Sequence, residues 1–165
     1  SRLPVMSTYR IESISPDELA SVHRDGADAH GHHVTPFEDP TGGEQLRCCL
    51  RLSHPGEQIV LISHAPLSAQ SPWREVGPVF VHAAPCAEWD GSAGLPAWFD
   101  DAPRVLRAYT SESAMHYPAH RVVAAGEGIA AALEVMFADP DVEQVHVRNL
   151  VAQCFIARAV RTGAA

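Results

Sequence analysis

Only one segment, GEGIAAALEVMFADP, repeats its apolar residues at the helical period, and that limits the fold more than any other feature of the chain. Ile129, Leu133, Met136 and Phe137 fall on one side of a helix and Asp139–Pro140 stops it, so one core-facing helix is predicted over 127–138. The other apolar residues come in short runs bounded by Gly, Pro, Ser and Asp. They predict strands at 5–12, 46–52, 57–64, from 77 onward, and at 104–110, 120–123, 142–150 and 153–161. In LRCCLRL, alternation puts Leu46, Cys48, Leu50 and Leu52 on one face and Arg47, Cys49 and Arg51 on the other. HPGE then turns that strand into 57–64 as a hairpin. Near the N-terminus SPDELASVHRDG predicts a short helix, with Ser15 as cap, Pro16 in the first turn and Glu18 at the capping-box position. Strands with one late helix make an α+β domain: a mostly antiparallel sheet or partial barrel of about seven strands, the helix packed on it.

The 165 residues suffice for one core, so a single domain is expected, with residues 1–7 read as a flexible or added N-terminal extension. No apolar run approaches the ~18 residues of a membrane helix and no secretory h-region opens the chain, which places the protein in the cytoplasm, off the membrane. A net charge of −8 argues against general nucleic-acid binding. All twelve basic residues are Arg, which excludes Schiff-base chemistry, covalent pyridoxal phosphate and a Walker-type lysine. Cysteines 48, 49, 86 and 154 form no CxxC motif and are read as reduced, with Cys154 a small core residue.

Two sets of residues carry chemistry. AHGHH, with His30, His32, His33 and His23 upstream, offers imidazoles but no carboxylate or thiol at a recognised metal spacing, so it reads as a polar loop. The second set is spread over strands: Arg47 and Cys49 on the first, His64 and His82 ending the next two, Arg107 and Tyr109 after them, then His146, Arg148 and Asn149. Ionisable groups among apolar neighbours are seldom buried without partners or a ligand, and together these would line a polar pocket. Alternation equally allows them to face water on a half-solvated sheet. His82 with Cys86 suggests either a thiolate and its base or a zinc pair completed by Cys49 or Cys154.

The blocks RCCLRLSHPGEQIVLISHAPL, SPWREVGPVFVHAAPC, RVLRAYTSESAMHYPAHRVVAAGEGI and FADPDVEQVHVRNLVAQCF resemble, in that order over residues 8–161, the bacterial domain of unknown function 1203 family. The resemblance brings no reaction, substrate or cofactor. It marks Arg47, Cys49, Glu57, Arg74, Gly77, Pro78, His82, Cys86, Arg107, Tyr109, Asn149 and Cys154 as residues of the family pattern. Where that pattern resembles Asn-x-Arg-Pro-Gly-Cys, this chain reads Asn149-Leu150-Val151-Ala152-Gln153-Cys154, losing a turn glycine and an anion-binding arginine.

The expectation is a small enzyme without organic cofactor, acting on a small polar or anionic metabolite by acid–base chemistry: isomerisation, cyclisation, elimination or hydrolysis, in a specialised or natural-product pathway. Arg74 and Arg107 would clamp the anion, helped by Arg47, Tyr109, His146, Arg148 and Asn149. His82, His64, Cys86 and Cys49 would supply acid, base or nucleophile. A non-catalytic binding or interaction module and a Cys/His zinc protein are the two alternatives, and a homodimer is compatible with any of them.

Overall fold

Two five-stranded sheets, rather than one sheet of about seven strands, carry the chain in a computed structural model that describes residues 8–163. Residues 1–7 lie outside the described residues. The first sheet runs β1 (Tyr9–Glu12), β10 (Phe155–Arg161), β9 (Gln144–Asn149), β7 (Arg104–Tyr109), β8 (Arg121–Val123), and every pair in it is antiparallel. The second runs β2 (Phe37–Glu38), β5 (Gln58–His64), β6 (Gly77–His82), β3 (Gln45–Leu46), β4 (Arg51–Leu52). It contains one parallel pair, β3 with β6. The α+β class stands. No helix among the described residues is long and apolar enough to cross a membrane.

Each sheet buries its own apolar cluster. On the first sheet, alternation sends Leu106, Ala108, Val145, Val147, Ala157 and Ala159 to one face, against Ile129, Leu133, Met136 and Phe137 of α2 (Ile129–Phe137). The helix starts two residues later than its periodicity predicts, because Gly128 at φ 96° is not helical and Asp100 Oδ1 accepts the Ile129 N–H at 2.8 Å. The second cluster joins Ile59, Val60, Ile62, Val79 and Val81 to Ile14, Leu19 and Val22. Val22 belongs to α1 (Ala20–Asp25). Ser15 Oγ does accept the Glu18 N–H at 3.3 Å, but residues 16–19 make turns and regular helix begins only at Ala20.

The predicted 46–52 strand does not exist. Leu46 and Arg51 are the ends of two short strands that pair with each other, and residues 47–50 form a turn closed by Leu50 N–H to Leu46 O at 2.8 Å, with Leu50 at φ 57°. The expected hairpin across HPGE therefore disappears: β4 folds back on β3, while β5 pairs with β2 and β6. A helical-type turn steps side chains by about 100° instead of 180°. Cys48 and Cys49 thus no longer point to opposite faces.

The sheets are tied by buried polar struts. Among the described residues Arg47 forms no salt bridge with a carboxylate. Its Nε donates to Phe155 O at 2.7 Å and its Nη1 to Gln45 O, and burial lowers its pKa to about 10. The Gln45 and Asn149 side-chain amides exchange two hydrogen bonds, at 2.8 and 3.1 Å, and Arg104 Nη1 also donates to Asn149 Oδ1. Arg47 and Asn149, expected to contact substrate, join the two sheets and also border an open groove with Phe80 and Cys154.

Candidate functional site

The remaining candidates gather at two places, with Arg74 apart from both. At the first, the 47–50 turn lies over the end of β6, and the segment after β6 returns to the same spot. The Cys48, Cys49 and Cys86 sulfurs and a His82 ring nitrogen all lie within 4.8 Å of one another. His82 Nδ1 is 3.3 Å from Cys48 Sγ and 3.8 Å from Cys49 Sγ. Zn–S bonds of about 2.3 Å and Zn–N bonds of about 2.0–2.1 Å in a tetrahedron separate the donors by ~3.5–3.8 Å, so these four need only small movements to close on such an ion. Zinc is the ion this thiolate–imidazole set suits.

The far ring nitrogen is spoken for. His82 Nε2 is 2.8 Å from Glu57 Oε2 and 2.9 Å from Arg51 Nη2, and Arg51 also grips both Glu57 oxygens at 2.7 and 2.9 Å. One tautomer cannot serve both neighbours. With the proton on Nε2, His82 donates to Glu57 and turns the Nδ1 lone pair towards the sulfurs, the orientation of a metal-ligating imidazole backed by a carboxylate. With the proton on Nδ1, the ring accepts from Arg51 and donates to sulfur. Glu57 is held well below the usual carboxylate range by Arg51 first, then by the His54 amide and His82. It therefore presents a permanent negative charge to the ring.

The thiols are unequal. A hydrogen bond from Cys48, with the Arg51 amide and His82 helping against burial, lowers Cys49 to about 5. The same bond and burial push Cys48, which is 3% exposed, upward, and burial raises Cys86. Cys49 and Cys86 are both partly exposed. All four cysteines are free thiols. Cys154 stands apart from the cluster, with its Sγ directed to Ala152 O at 3.9 Å, and it is partly exposed rather than core.

The second place is the other face of the first sheet. Its register sets Arg107, His146 and Arg158 side by side across β7, β9 and β10, with Arg148 two residues along β9. This face is polar by alternation yet buried, because the second sheet covers it: His146 is 0% and Arg148 6% exposed. Between the sheets a cavity of about 200 Å³ is lined by Arg107, Arg148, His64, Glu75, Gln153 and Cys154, with Val76, Pro78, Val79 and Phe155 as apolar wall. Burial, together with Arg158, His30, Arg47 and Arg148, lowers His64 to about 4. Burial first, then Arg148, Arg158 and His64, takes His146 well below the ordinary histidine range. Both rings are neutral in a positive field. Tyr109 stacks on His146 with centroids 4.3 Å apart.

Arg74 donates to Leu67 O at 3.1 Å and lines a separate, wider groove of about 450 Å³ that shares only His64 with the cavity. The histidine-rich loop is organised by a carboxylate. Asp28, 5% exposed, accepts the His30 and His32 amides, the Ser63 amide and His32 Nδ1. Against its own burial these bonds hold it at about 2. His116, Asp139 and Asp141 also converge, but the 2.7 Å His116–Asp139 bond and the Asp141 amide on Asp139 already occupy that carboxylate.

The single pocket expected from the strand faces is thus two sites, and the thiol–imidazole group lines neither cavity. Reading the sequence missed Cys48, Glu75 and Gln153. Leu46 and Leu50, four apart and both buried, are the signal of a helical turn that would have brought Cys48 to Cys49.

Fold and site define a two-sheet α+β protein with a cysteine–histidine donor cluster. The chain belongs to the family described as protein of unknown function (DUF1203), whose model matches residues 43–161, more than two thirds of its length. That span contains every donor of the cluster and every residue lining the 200 Å³ cavity. No curated protein and no solved structure matches the chain.

Proposed function

We propose that the protein is a metalloprotein that holds one zinc-class divalent ion through Cys48, Cys49, His82 and Cys86, with Glu57 positioning His82. The observation that carries this reading is the convergence of four soft or borderline donors within 4.8 Å from the 47–50 turn, the end of β6 and the loop after it. Three sulfurs and one imidazole able to reach a single point are the donor set of a structural zinc site. The ion would pin the 47–50 turn to β6, and partly exposed Cys49 and Cys86 would leave one side of it open to solvent or an incoming ligand. Four free thiols suit a reducing compartment, in keeping with the cytoplasm.

Elemental analysis of tag-free protein should find about one zinc per chain, and cobalt substitution should add thiolate-to-cobalt absorbance in the near ultraviolet. Glu57→Gln should weaken metal affinity about 10–100-fold, as loss of a carboxylate behind a ligating histidine does. Substoichiometric metal after supplementation, with no cobalt–thiolate band, would sink the reading.

A second reading has its own observation. Cys49, lowered to about 5, is partly exposed and 3.8 Å from His82, whose far nitrogen meets Glu57. That is the order nucleophile, base, orienting carboxylate. It requires a metal-free molecule in which iodoacetamide alkylates Cys49 at pH 7 faster than Cys86 or Cys154 and added zinc gives no protection.

A further inference from the structure

Positive charge in the inter-sheet cavity exceeds what the protein itself neutralises. Arg107 Nη1 donates to Glu75 Oε1 and Oε2 at 3.1 and 3.2 Å, and Arg148 Nη2 approaches Oε2 at 3.6 Å. One carboxylate, on a side chain 51% exposed, therefore answers two guanidiniums whose side chains are 19% and 8% exposed. The rest of their bonding is to neutral atoms: Arg148 Nη1 to Gln153 O at 2.8 Å and Arg107 Nη2 to Gln153 Oε1 at 3.5 Å. Arg148 Nε is buried without a well-aligned acceptor, although the Tyr109 hydroxyl is beside it. Among the described residues His64, on the cavity wall, makes no side-chain hydrogen bond and only faces Phe155 at 5.4 Å between centroids. A buried guanidinium whose Nε lacks an acceptor is expensive unless a ligand completes the site, and the His64 ring on the cavity wall is free to bond one.

We propose that this cavity binds a small organic carboxylate between Arg107 and Arg148, at the position the Glu75 carboxylate now fills. Glu75 reports the chemistry the site accepts. A carboxylate already lies there, with both oxygens on Arg107 Nη1 and Oε2 also 3.6 Å from Arg148 Nη2, so it bridges the two guanidiniums. Glu75 precedes β6 in a loop and is half exposed, so it can swing to water when a ligand enters. The body of that ligand is short and apolar. The cavity holds about 200 Å³, equal to six or seven liquid-water volumes, and Val76, Pro78, Val79 and Phe155 form the wall beyond the arginines. His64, neutral, is placed to hydrogen-bond one polar substituent. The cavity shares no residue with the thiol cluster, so its occupancy is independent of the metal reading.

Calorimetric titration of the full-length protein as purified, at low ionic strength, tests this with sodium benzoate, sodium acetate and sodium phosphate. Benzoate should bind more tightly than acetate, and phosphate at least tenfold more weakly than benzoate. Glu75→Gln, which removes the internal competitor from an exposed position, should tighten benzoate binding about tenfold. Adding Arg107→Gln to that variant should weaken it at least tenfold. Unchanged or weaker binding by Glu75→Gln, indifference to Arg107→Gln, or phosphate binding as tightly as benzoate would each overturn the proposal. Should Glu75→Gln lose its circular dichroism signature, the wild type still decides. Benzoate must shift the Arg107 Nε–H resonance and leave that of Arg51 in place, and the absence of that selective shift is refutation.

Discussion

The thiol cluster and the inter-sheet cavity use the same small set of residue types, yet they are opposite in charge logic. At the cluster, three sulfurs and Glu57 surround one imidazole, and Arg51 is the cation in contact. In the cavity, Arg107 and Arg148 meet one half-exposed carboxylate while His64 on its wall is kept neutral. The net charge of −8 describes neither place. What a buried site attracts is set by the charge it leaves unbalanced locally, because nearby charges interact strongly in the low-dielectric interior while exposed surface charges are screened by water and salt. One site is short of a cation and the other of an anion.

The contrast can be broken most strongly at the proposed metal site. For an ion present at a thousandfold over its Kd, chelation should cost about 4 kcal/mol of stability. The loss should be local: amide exchange should quicken across 46–52 and 77–82, while 129–137 and 144–149 keep their protection. Even protection after chelation would show that the ion does not hold the second sheet. Acid probes the cavity next. His64 titrates at about 4 in the folded protein against about 6.5 when unfolded, so between those values the unfolded chain binds more protons. Stability present above pH 6.5 is therefore lost as pH falls towards 4, by on the order of 2 kcal/mol once partial exposure is allowed for. In chelated protein the difference between wild type and His64→Gln isolates this contribution, and parallel pH profiles would show that neither burial nor the nearby arginines shift His64. The smallest effect concerns the turn before Cys154. Gln153 sits at φ 62°, where the family pattern resembles glycine, and Gln153→Gly should raise the urea midpoint by the equivalent of about 0.5–1 kcal/mol. No gain would mean that the bonds of the Gln153 side chain to Leu150 O and Arg107 offset the strain.

Where local pattern decides structure, the sequence was readable. The strands at 57–64, 104–110 and 142–150 end within two residues of expectation and α2 starts two late, because alternation and helical period are properties of neighbours. RCCLR misled because Leu-x-Cys-x-Leu satisfies a period of two, while the turn there depends on Leu50 in a left-handed conformation without a glycine to mark it. Division into two sheets was not legible, since it rests on pairings such as β3 with β6 and β1 with β10. The site shows the same split. His82 at a strand end, Cys86 four residues beyond it and Cys49 on an earlier strand stood out as one ionisable set, and they do meet. Cys48 was lost with the false strand. Arg47 and Asn149 look the same in sequence as Arg107 and Arg148, and only tertiary contacts reveal the first two as struts.

The two sheets also differ in when they can exist. Every strand of the second sheet, and all four sulfur and nitrogen donors, lie within residues 37–86. The first sheet joins residues 9–12 to 158–161. During synthesis from the N-terminus, the half of the molecule that gathers the thiols can therefore assemble while the opening strand still waits for its partner. An ion captured at that stage would act on a nascent chain, fixing the turn at 47–50 before the last strand arrives to close the cavity over its arginines.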